Sequence, residues 1–236
     1  MLKYLQLNQQ FDVQKMQQEV ALLESGLWKA HYNTAHYEGS WTILPLRSIN
    51  GSIDNIISIH SAAAETIPAY KDTVLLQQCN YIRSVLAFFE CEKTAVRLMK
   101  LHAGAVIKEH SDHDMRFEDG EVRLHIPVVT NAAVEFFLAD ERVPMQEGEC
   151  WYLNLTLKHR INNFGNSDRI HLVLDCKVND WIKKQFTTNT VLKKDFEEGQ
   201  KPKQSKEEKL KIIAQLRLLN TTTALELADK MEKETE

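Results

Sequence analysis

The chain has 236 residues, of which 43% are hydrophobic, and it carries a formal net charge of -4 at pH 7. This length and apolar content are enough for one domain with a sizeable core. The mild acidity gives no electrostatic basis for binding nucleic acid or an anionic membrane, so we expect neither partner. No apolar run approaches the ~20 residues of a membrane-spanning helix, and residues 1–10 lack the pattern of a signal peptide. The four cysteines show no Cys-x-x-Cys spacing, which favours reduced thiols in a cytoplasmic protein.

The first hundred residues predict two helices and two strands. Helical spacing of apolar residues covers 11–26 and 74–89, and strand patterns cover 42–46 and 94–101. The aromatic-rich segment 31–46 is best explained by strand pairing in the core sheet. The alternative is that one of its side chains reaches over a functional site, the candidates being His36, Tyr37, Trp41 and, just beyond it, Arg47. Residues 51–70 predict a loop, with a lid over a pocket as a further option.

From residue 105 onward the chain reads as a series of short strands. The patterns cover 105–109, 122–128, 133–138, 149–153 and 170–177, and turn signals such as Asp119-Gly120 and Glu147-Gly148 separate them. Many short strands without intervening helices predict an antiparallel jelly roll, also called a double-stranded β-helix, as found in cupins. The polar segment 112–120 predicts a loop at the mouth of this barrel. Arg116 and Phe117 in that loop are candidate substrate contacts.

The last fifty residues differ in composition from the barrel region. Beyond Trp181 the sequence becomes charged and polar, and helical patterns then return over 210–219 and 225–231. We therefore divide the chain into a mostly β domain with flanking helices over 1–186 and a helical C-terminal appendage over 187–236. The appendage is expected to dock on the barrel or to serve self-association, so a homodimer is one expected partner.

The strongest chemical signal is His110-Ser111-Asp112 combined with His159. Two imidazoles and one carboxylate leave other metal positions open, a pattern typical of non-haem Fe(II). His110 and Asp112 point the same way if they end a strand, because strand side chains repeat with period two. Arg169 follows His159 by ten residues, and its rigid donors suit a carboxylate in the same cavity. A lone His-x-Asp is frequent by chance, so His159 and Arg169 are what favour the metal site. We assign no part in the chemistry to His31, His36, His60 and His102.

Several ordered blocks around these residues resemble one enzyme family. The blocks are His110-Ser111-Asp112, Arg123-Leu124-His125-Ile126-Pro127, Gly148-Glu149-Cys150-Trp151-Tyr152, and His159 followed by Asn163, Gly165 and Arg169-Ile170-His171. Together they are similar to the aspartyl/asparaginyl β-hydroxylase family of Fe(II)- and 2-oxoglutarate-dependent dioxygenases, especially its bacterial branch, which includes the proline cis-hydroxylases.

The resemblance implies a role for each matching residue. His110, Asp112 and His159 would be the iron ligands, and Arg169 would bind the distal carboxylate of 2-oxoglutarate. Arg123 and His125 would lie in the pocket near the carboxylates of the cosubstrate or the substrate, and we assign them to cosubstrate binding. Arg97 and Trp41 join Arg116 and Phe117 as substrate-binding candidates. In the animal peptidyl-aspartate enzymes the metal-binding carboxylate is absent and a second arginine occupies the position of Glu121. A peptidyl aspartate substrate is therefore not expected here.

The implied reaction is hydroxylation of an unactivated carbon of an amino acid, free or bound to a peptide or carrier. Fe(II), 2-oxoglutarate and O2 would take part, succinate and CO2 would be released, and ascorbate would stimulate turnover. Two other classes stay open from the residues alone. One is a cupin-like metal-dependent isomerase or hydrolase that uses the same three ligands, and the other is a non-catalytic binding module.

Overall fold

A computed structural model describes residues 1–23, 25–56, 69–112 and 115–196, together with Leu210, Ile213, Arg217 and Glu232. The chain forms two compact units, Met1–Asp195 and Phe196–Glu236. In the second unit those four residues are helical, and Arg217 Nη2 lies 2.6 Å from Glu232 Oε2. None of the described helices has the length and apolar character needed to cross a membrane.

The first unit is mostly β-structure. Its strands are β1 (Leu2–Gln10), β2 (Lys29–Ala30), β3 (Tyr37–Glu38), β4 (Trp41–Ile49), β5 (Tyr70–Asp72), β6 (Lys93–Leu101), β7 (Val106–His110), β8 (Glu121–Val129), β9 (Val134–Leu138), β10 (Glu141–Arg142), β11 (Glu149–Leu153), β12 (His159–Asn163), β13 (Arg169–Lys177) and β14 (Thr190–Asp195). Its helices are α1 (Val13–Leu22), α2 (Asn80–Phe88) and α3 (Asp180–Thr188).

The strands form two antiparallel sheets. The larger sheet has the order β14-β1-β11-β8-β13-β6-β4-β2, with β5 paired to β4, and the smaller has the order β10-β9-β12-β7-β3. Non-consecutive strands lie side by side in both sheets, as they do in a double-stranded β-helix. The jelly-roll fold expected from the sequence is confirmed.

Alternation along the strands of the larger sheet builds a core on one face and a cavity on the other. In β13, the even-numbered residues Ile170, Leu172, Leu174 and Cys176 belong to the main hydrophobic cluster. The three helices contribute Met16, Ile82 and Phe186, among others, to that same cluster, so they cover this face of the sheet. The odd-numbered residues of β13 face the other way, and among them are Arg169, His171 and Asp175. The strand β13 therefore contributes apolar side chains to the helix-covered core and polar side chains to the cavity.

Side chains at the helix starts fix two of the three helices. The Asp12 carboxylate accepts a hydrogen bond from the Lys15 backbone N–H at the start of α1. The Asn179 side chain accepts one from the Ile182 N–H at the start of α3. Such caps satisfy backbone donors that have no partner within the helix.

The structure adds elements that the sequence patterns did not predict. β1, β12, β14 and α3 were not expected, and the predicted helix over 74–89 contains a short 3-10 turn (Leu76–Gln78) before α2. The apolar pattern of β1 is weak because Gln6, Asn8, Gln9 and Gln10 make its second half polar. β14 pairs with β1, for example Lys193 with Leu5, so the first unit extends to Asp195 rather than ending at 186. Of the predicted 51–70 loop, residues 57–68, which include His60, lie outside the described residues.

Candidate active site

The pairing of β7 with β12 brings two histidines together. His110 lies directly opposite His159 in these neighbouring strands, and their ring centroids are 4.2 Å apart. Asp112 follows β7 by two residues, and its backbone N–H donates to the Leu155 carbonyl at 2.8 Å. The ligand atoms of His110, Asp112 and His159 all lie within 4.8 Å of one another. The structure thus assembles the triad that the sequence predicted as metal ligands.

Backbone hydrogen bonds orient both imidazoles. His110 Nδ1 lies 2.8 Å from the Lys108 carbonyl oxygen, and His159 Nδ1 lies 3.0 Å from the Leu157 carbonyl oxygen. Because a carbonyl only accepts, Nδ1 carries the proton in each ring and Nε2 keeps a free lone pair. Burial also lowers the pKa of His159 to about 4, so this ring is neutral at neutral pH. Two imidazole nitrogens and a carboxylate oxygen in this arrangement fit a divalent transition metal such as Fe(II).

Arg123 binds two carboxylates. Its Nη1 donates to Asp112 Oδ2 at 2.6 Å. Its Nε and Nη2 donate to the two oxygens of Asp175, at 2.6 and 3.1 Å. The sequence assigned Arg123 to cosubstrate binding, but three of its donors are already engaged by the protein. Asp175 was overlooked, although a carboxylate in a strand that is otherwise nearly apolar is a sign that a buried cation lies nearby.

The charged groups around Asp175 balance one another. Asp175 is fully buried, and Arg97 Nη2 donates to its Oδ2 at 2.5 Å. Burial alone would raise the pKa of Asp175, but the neighbouring Arg123 and Arg97 hold that pKa below its ordinary value. Burial likewise acts to raise the pKa of Asp112, and Arg123 is the first of the cations that lower it. Both carboxylates are therefore ionised at neutral pH.

Arg169 is a buried cation without a carboxylate partner among the described residues. Its side chain lines the same cavity as the triad, and only 4% of the residue is exposed. Its Nη2 donates to His171 Nδ1 at 2.9 Å, whereas its Nε has no partner in the described structure. Burial lowers the pKa of this guanidinium to about 9, which leaves it charged at neutral pH. An anionic ligand would compensate this charge.

The cavity between the sheets has a volume of about 200 Å³ and collects most of the predicted site residues. Arg97, Trp41 and His125 line it together with the triad and Arg169. Both ring nitrogens of His125 are buried without a hydrogen-bond partner in the described part of the chain. The walls also contain apolar side chains such as Phe136 and Ile161.

Two histidines to which the sequence analysis gave no part also line this cavity. The His31 ring stacks on Trp41 with centroids 3.6 Å apart and planes 7° apart, and the His36 ring lies 4.9 Å from that of His110. That these two histidines have no part in the chemistry stays a prediction, whereas the alternative that His36 reaches over the site agrees with its place in the cavity. The concentration of aromatic residues over 31–46 was the available signal.

Two predicted substrate contacts lie elsewhere. Arg116 forms a two-pronged ion pair with Asp119, in which its Nε donates to Oδ2 at 2.8 Å and its Nη2 donates to Oδ1 at 2.5 Å. The Phe117 ring stacks on Phe186 of α3, with centroids 5.0 Å apart. Neither is among the residues that line the cavity. The loop end is held against the helix-covered face of the large sheet, because Phe117 is apolar and its backbone N–H donates to the Tyr152 hydroxyl.

Comparison with known proteins gives one family match. Residues 10–178 match the family model described as aspartyl/asparaginyl beta-hydroxylase. Similar solved structures include an oxidoreductase of the 2OG-Fe(II) oxygenase family from Burkholderia pseudomallei (13% identity, 71% of this chain and 79% of that one, TM-score 0.48). Another is a Pseudomonas putida prolyl-4-hydroxylase (12% identity, 76% and 95% coverage, TM-score 0.45). A third is the viral collagen prolyl hydroxylase of Paramecium bursaria Chlorella virus-1 (9% identity, 74% and 96% coverage, TM-score 0.44).

Proposed function

We propose that this chain, which belongs to the aspartyl/asparaginyl β-hydroxylase family, is an Fe(II)- and 2-oxoglutarate-dependent dioxygenase that hydroxylates an amino-acid carbon. The observation that carries the proposal is the His110, Asp112 and His159 triad in one cavity with the uncompensated cation Arg169. A metal site and an anion site side by side are what a metal-binding 2-oxo acid requires.

The three ligands would hold the iron through His110 Nε2, His159 Nε2 and Asp112 Oδ1. Asp112 Oδ2 is already occupied by Arg123, so the hydrogen bond leaves one carboxylate oxygen for the metal. Bound Fe(II) with 2-oxoglutarate and O2 supplies chemistry in which decarboxylation to succinate and CO2 accompanies insertion of one oxygen atom into a C–H bond. The protein positions the reactants and excludes water.

Arg169 would bind the far carboxylate of 2-oxoglutarate. A guanidinium presents paired donors that match a carboxylate, and the Nε of Arg169, which no described residue engages, is one such donor. The hydrogen bond to His171 Nδ1 restrains the guanidinium from the other side. The buried ring nitrogens of His125 offer a further donor or acceptor to the same cosubstrate.

Charge in the cavity favours a substrate that carries a carboxylate. Among the described residues that line it, Arg97, Arg123 and Arg169 are cationic and Asp112 is the one acid. Counting Asp175 and a divalent metal, the site has a surplus of three positive charges, because three arginines and the metal give +5 and the two aspartates give -2. Doubly charged 2-oxoglutarate removes two of them. The remaining positive charge would attract the carboxylate of an amino acid or peptide.

Trp41 and Arg97 would bind that substrate carboxylate. The buried Trp41 Nε1 and Arg97 Nε both lack a hydrogen-bond partner within the described residues, and both side chains line the cavity. They lie on the paired strands β4 and β6, with Trp41 opposite Leu101 and Arg97 opposite Pro45, so the substrate carboxylate would lie between them. Buried donors of this kind normally have partners in native proteins.

Trp41→Phe should raise the KM for the amino-acid substrate while leaving kcat nearly unchanged. The phenyl ring keeps the stack on His31 but removes the donor, and a hydrogen bond to a charged group contributes about 1.5–3 kcal/mol, or roughly 10- to 150-fold in KM. Steady-state kinetics at saturating 2-oxoglutarate check this. Trp28→Phe is the matched control. The Nζ of Lys100 lies 4.0 Å from the centroid of the Trp28 ring, and Trp28 does not line the cavity. Equal KM values in the two variants would contradict the substrate role of Trp41.

The proposed activity is tested by succinate formation. Purified protein with Fe(II), ascorbate and 2-oxoglutarate is incubated with a panel of free amino acids and short peptides, and the products are analysed by mass spectrometry. A gain of 16 Da on one panel member, equal to one oxygen atom, with an equal amount of succinate is the expected result.

Two other outcomes are informative. Slow succinate release without stimulation by any panel member would keep the dioxygenase class and direct the search to carrier-bound substrates. No succinate from iron-loaded protein would contradict the proposal and favour a metal-dependent isomerase or hydrolase, or a binding module.

A further inference from the structure

Asp175 is a fully buried carboxylate. One side chain, that of Arg123, lies between it and the metal triad. Asp175 makes no contact with the proposed metal, since its oxygens bind Arg123 and Arg97. Of these two arginines, Arg123 also donates a hydrogen bond to Asp112. The chain of contacts therefore runs from Asp175 through Arg123 to a metal ligand.

Strand register produces this chain of contacts. Asp175 on β13 lies directly opposite Arg123 on β8. Arg97 on β6 lies opposite Val173, which places it diagonal to Asp175 on the same face. Directly opposed side chains on one face of a sheet are close enough to pair without bending the backbone. The Asp175–Arg123 pair is thus set by the fold and does not depend on a flexible loop.

The planar guanidinium links the orientation of its two carboxylate partners. Asp175 engages the Nε and Nη2 edge of Arg123, and this two-point contact fixes the plane and rotation of the group. Nη1 is then held at a fixed position, from which it donates to Asp112 Oδ2 at 2.6 Å. Asp112 Oδ1 is left facing His110 Nε2 at 3.9 Å, a separation that leaves room for a shared metal.

Asp112 needs this restraint because it is the least buried member of the triad. Its side chain is 30% exposed, whereas that of His110 is 11% exposed and His159 is buried. Asp112 also lies beyond the end of β7, outside the sheet that fixes the two histidines. A rotamer change would remove it from the metal.

We infer that Asp175 is a positioning residue that holds the metal ligand Asp112 in its binding orientation through Arg123. The inference rests on the proposed metal site. It also changes the role of Arg123 from cosubstrate binding to support of a ligand. Groups that hold a metal ligand from behind typically change metal affinity by about 10- to 100-fold when they are replaced.

Co(II) titration of the full-length protein, followed by its visible d–d absorption, tests the inference without turnover. Asp175→Asn should weaken apparent Co(II) affinity about 10- to 100-fold, because an amide cannot accept from both Arg123 donors. Asp119→Asn is the matched control, since Asp119 also forms a two-pronged pair with an arginine but at the surface. Its Co(II) affinity should equal that of the wild type. Thermal unfolding is recorded for each variant, because lost stability with unchanged Co(II) affinity would indicate a purely structural role and overturn the inference.

A double-mutant cycle shows whether Asp175 acts through Arg123. Arg123→Gln should weaken Co(II) binding, and adding Asp175→Asn should weaken it no further, whereas additive losses would overturn the inference. Arg123→Lys keeps the charge and loses the two-point contact, so it tests the same idea if Asp175→Asn is too unstable to purify. It should also bind Co(II) more weakly, and wild-type affinity would contradict the positioning role.

Failure of the metal site itself is distinguishable. If wild-type protein gave no Co(II) spectrum, or if His159→Ala bound Co(II) as tightly as the wild type, the proposed metal site would be overturned together with this inference. Wild-type binding that is lost in His159→Ala but unchanged in Asp175→Asn and Arg123→Lys would overturn this inference alone.

Discussion

Replacing Asp112 with alanine should abolish substrate-dependent succinate formation. The triad loses its one carboxylate, and two neutral imidazoles alone are a poor site for Fe(II), which prefers mixed nitrogen and oxygen ligands here. The substitution also leaves Arg123 Nη1 without its 2.6 Å acceptor, so a cation faces the place where the metal would lie. Coupled turnover should fall to the level of protein-free controls, measured as succinate and as oxygenated product.

Asp119→Ala is the matched control for this prediction. It removes the carboxylate that pairs with Arg116. Asp119 follows Asp112 by seven residues in the sequence and does not line the cavity. Activity of this variant should stay near that of the wild type. Asp112→Asn adds a shape-preserving test, because asparagine keeps the side-chain volume and loses the anionic ligand. Normal turnover in either Asp112 variant would refute the iron assignment.

Much of the site could be predicted because its residues follow simple strand rules. The spacing of His110 and Asp112, the position of His159 between apolar runs and the alternation through Arg169 and His171 are visible in the sequence. The strands β8 and β13 are also readable, since their inward and outward residues differ in polarity. These features depend on local pattern, which is what a single sequence contains.

Cross-strand register could not be predicted in the same way. Which residue lies opposite Arg123 depends on how β8 and β13 align, and a shift by one residue would turn every side chain to the other face. The sequence alone therefore assigned Arg123 to an external carboxylate, whereas the register supplies the internal carboxylate of Asp175. His31 is a similar case, because its place in the cavity depends on the pairing of β2 with β4.

Arg169→Met should raise the KM for 2-oxoglutarate strongly without destabilising the cosubstrate-free protein. Losing one partner of a buried charge pair costs about 2–5 kcal/mol of binding, so the KM should rise by roughly 30-fold or more. The effect on the free protein is expected to be small. Arg169 has no carboxylate partner among the described residues, and its burial opposes the charged form. An apolar side chain of similar length removes that penalty but also removes the donor to His171 Nδ1, so the two effects offset and the melting temperature should stay near that of the wild type.

The two readouts together separate a ligand-binding arginine from a structural one. A structural role predicts a lower melting temperature and an unchanged KM in Arg169→Met. A binding role predicts that 2-oxoglutarate with Mn(II) raises the melting temperature of the wild type, since a ligand stabilises the state that it binds, and fails to do so in the variant. Arg160→Met is the matched control, because Arg160 follows His159 on β12 but its Nη1 pairs with the exposed Asp140 at 3.0 Å. This control should keep the KM for 2-oxoglutarate, and an equal rise in both variants would contradict a specific role for Arg169.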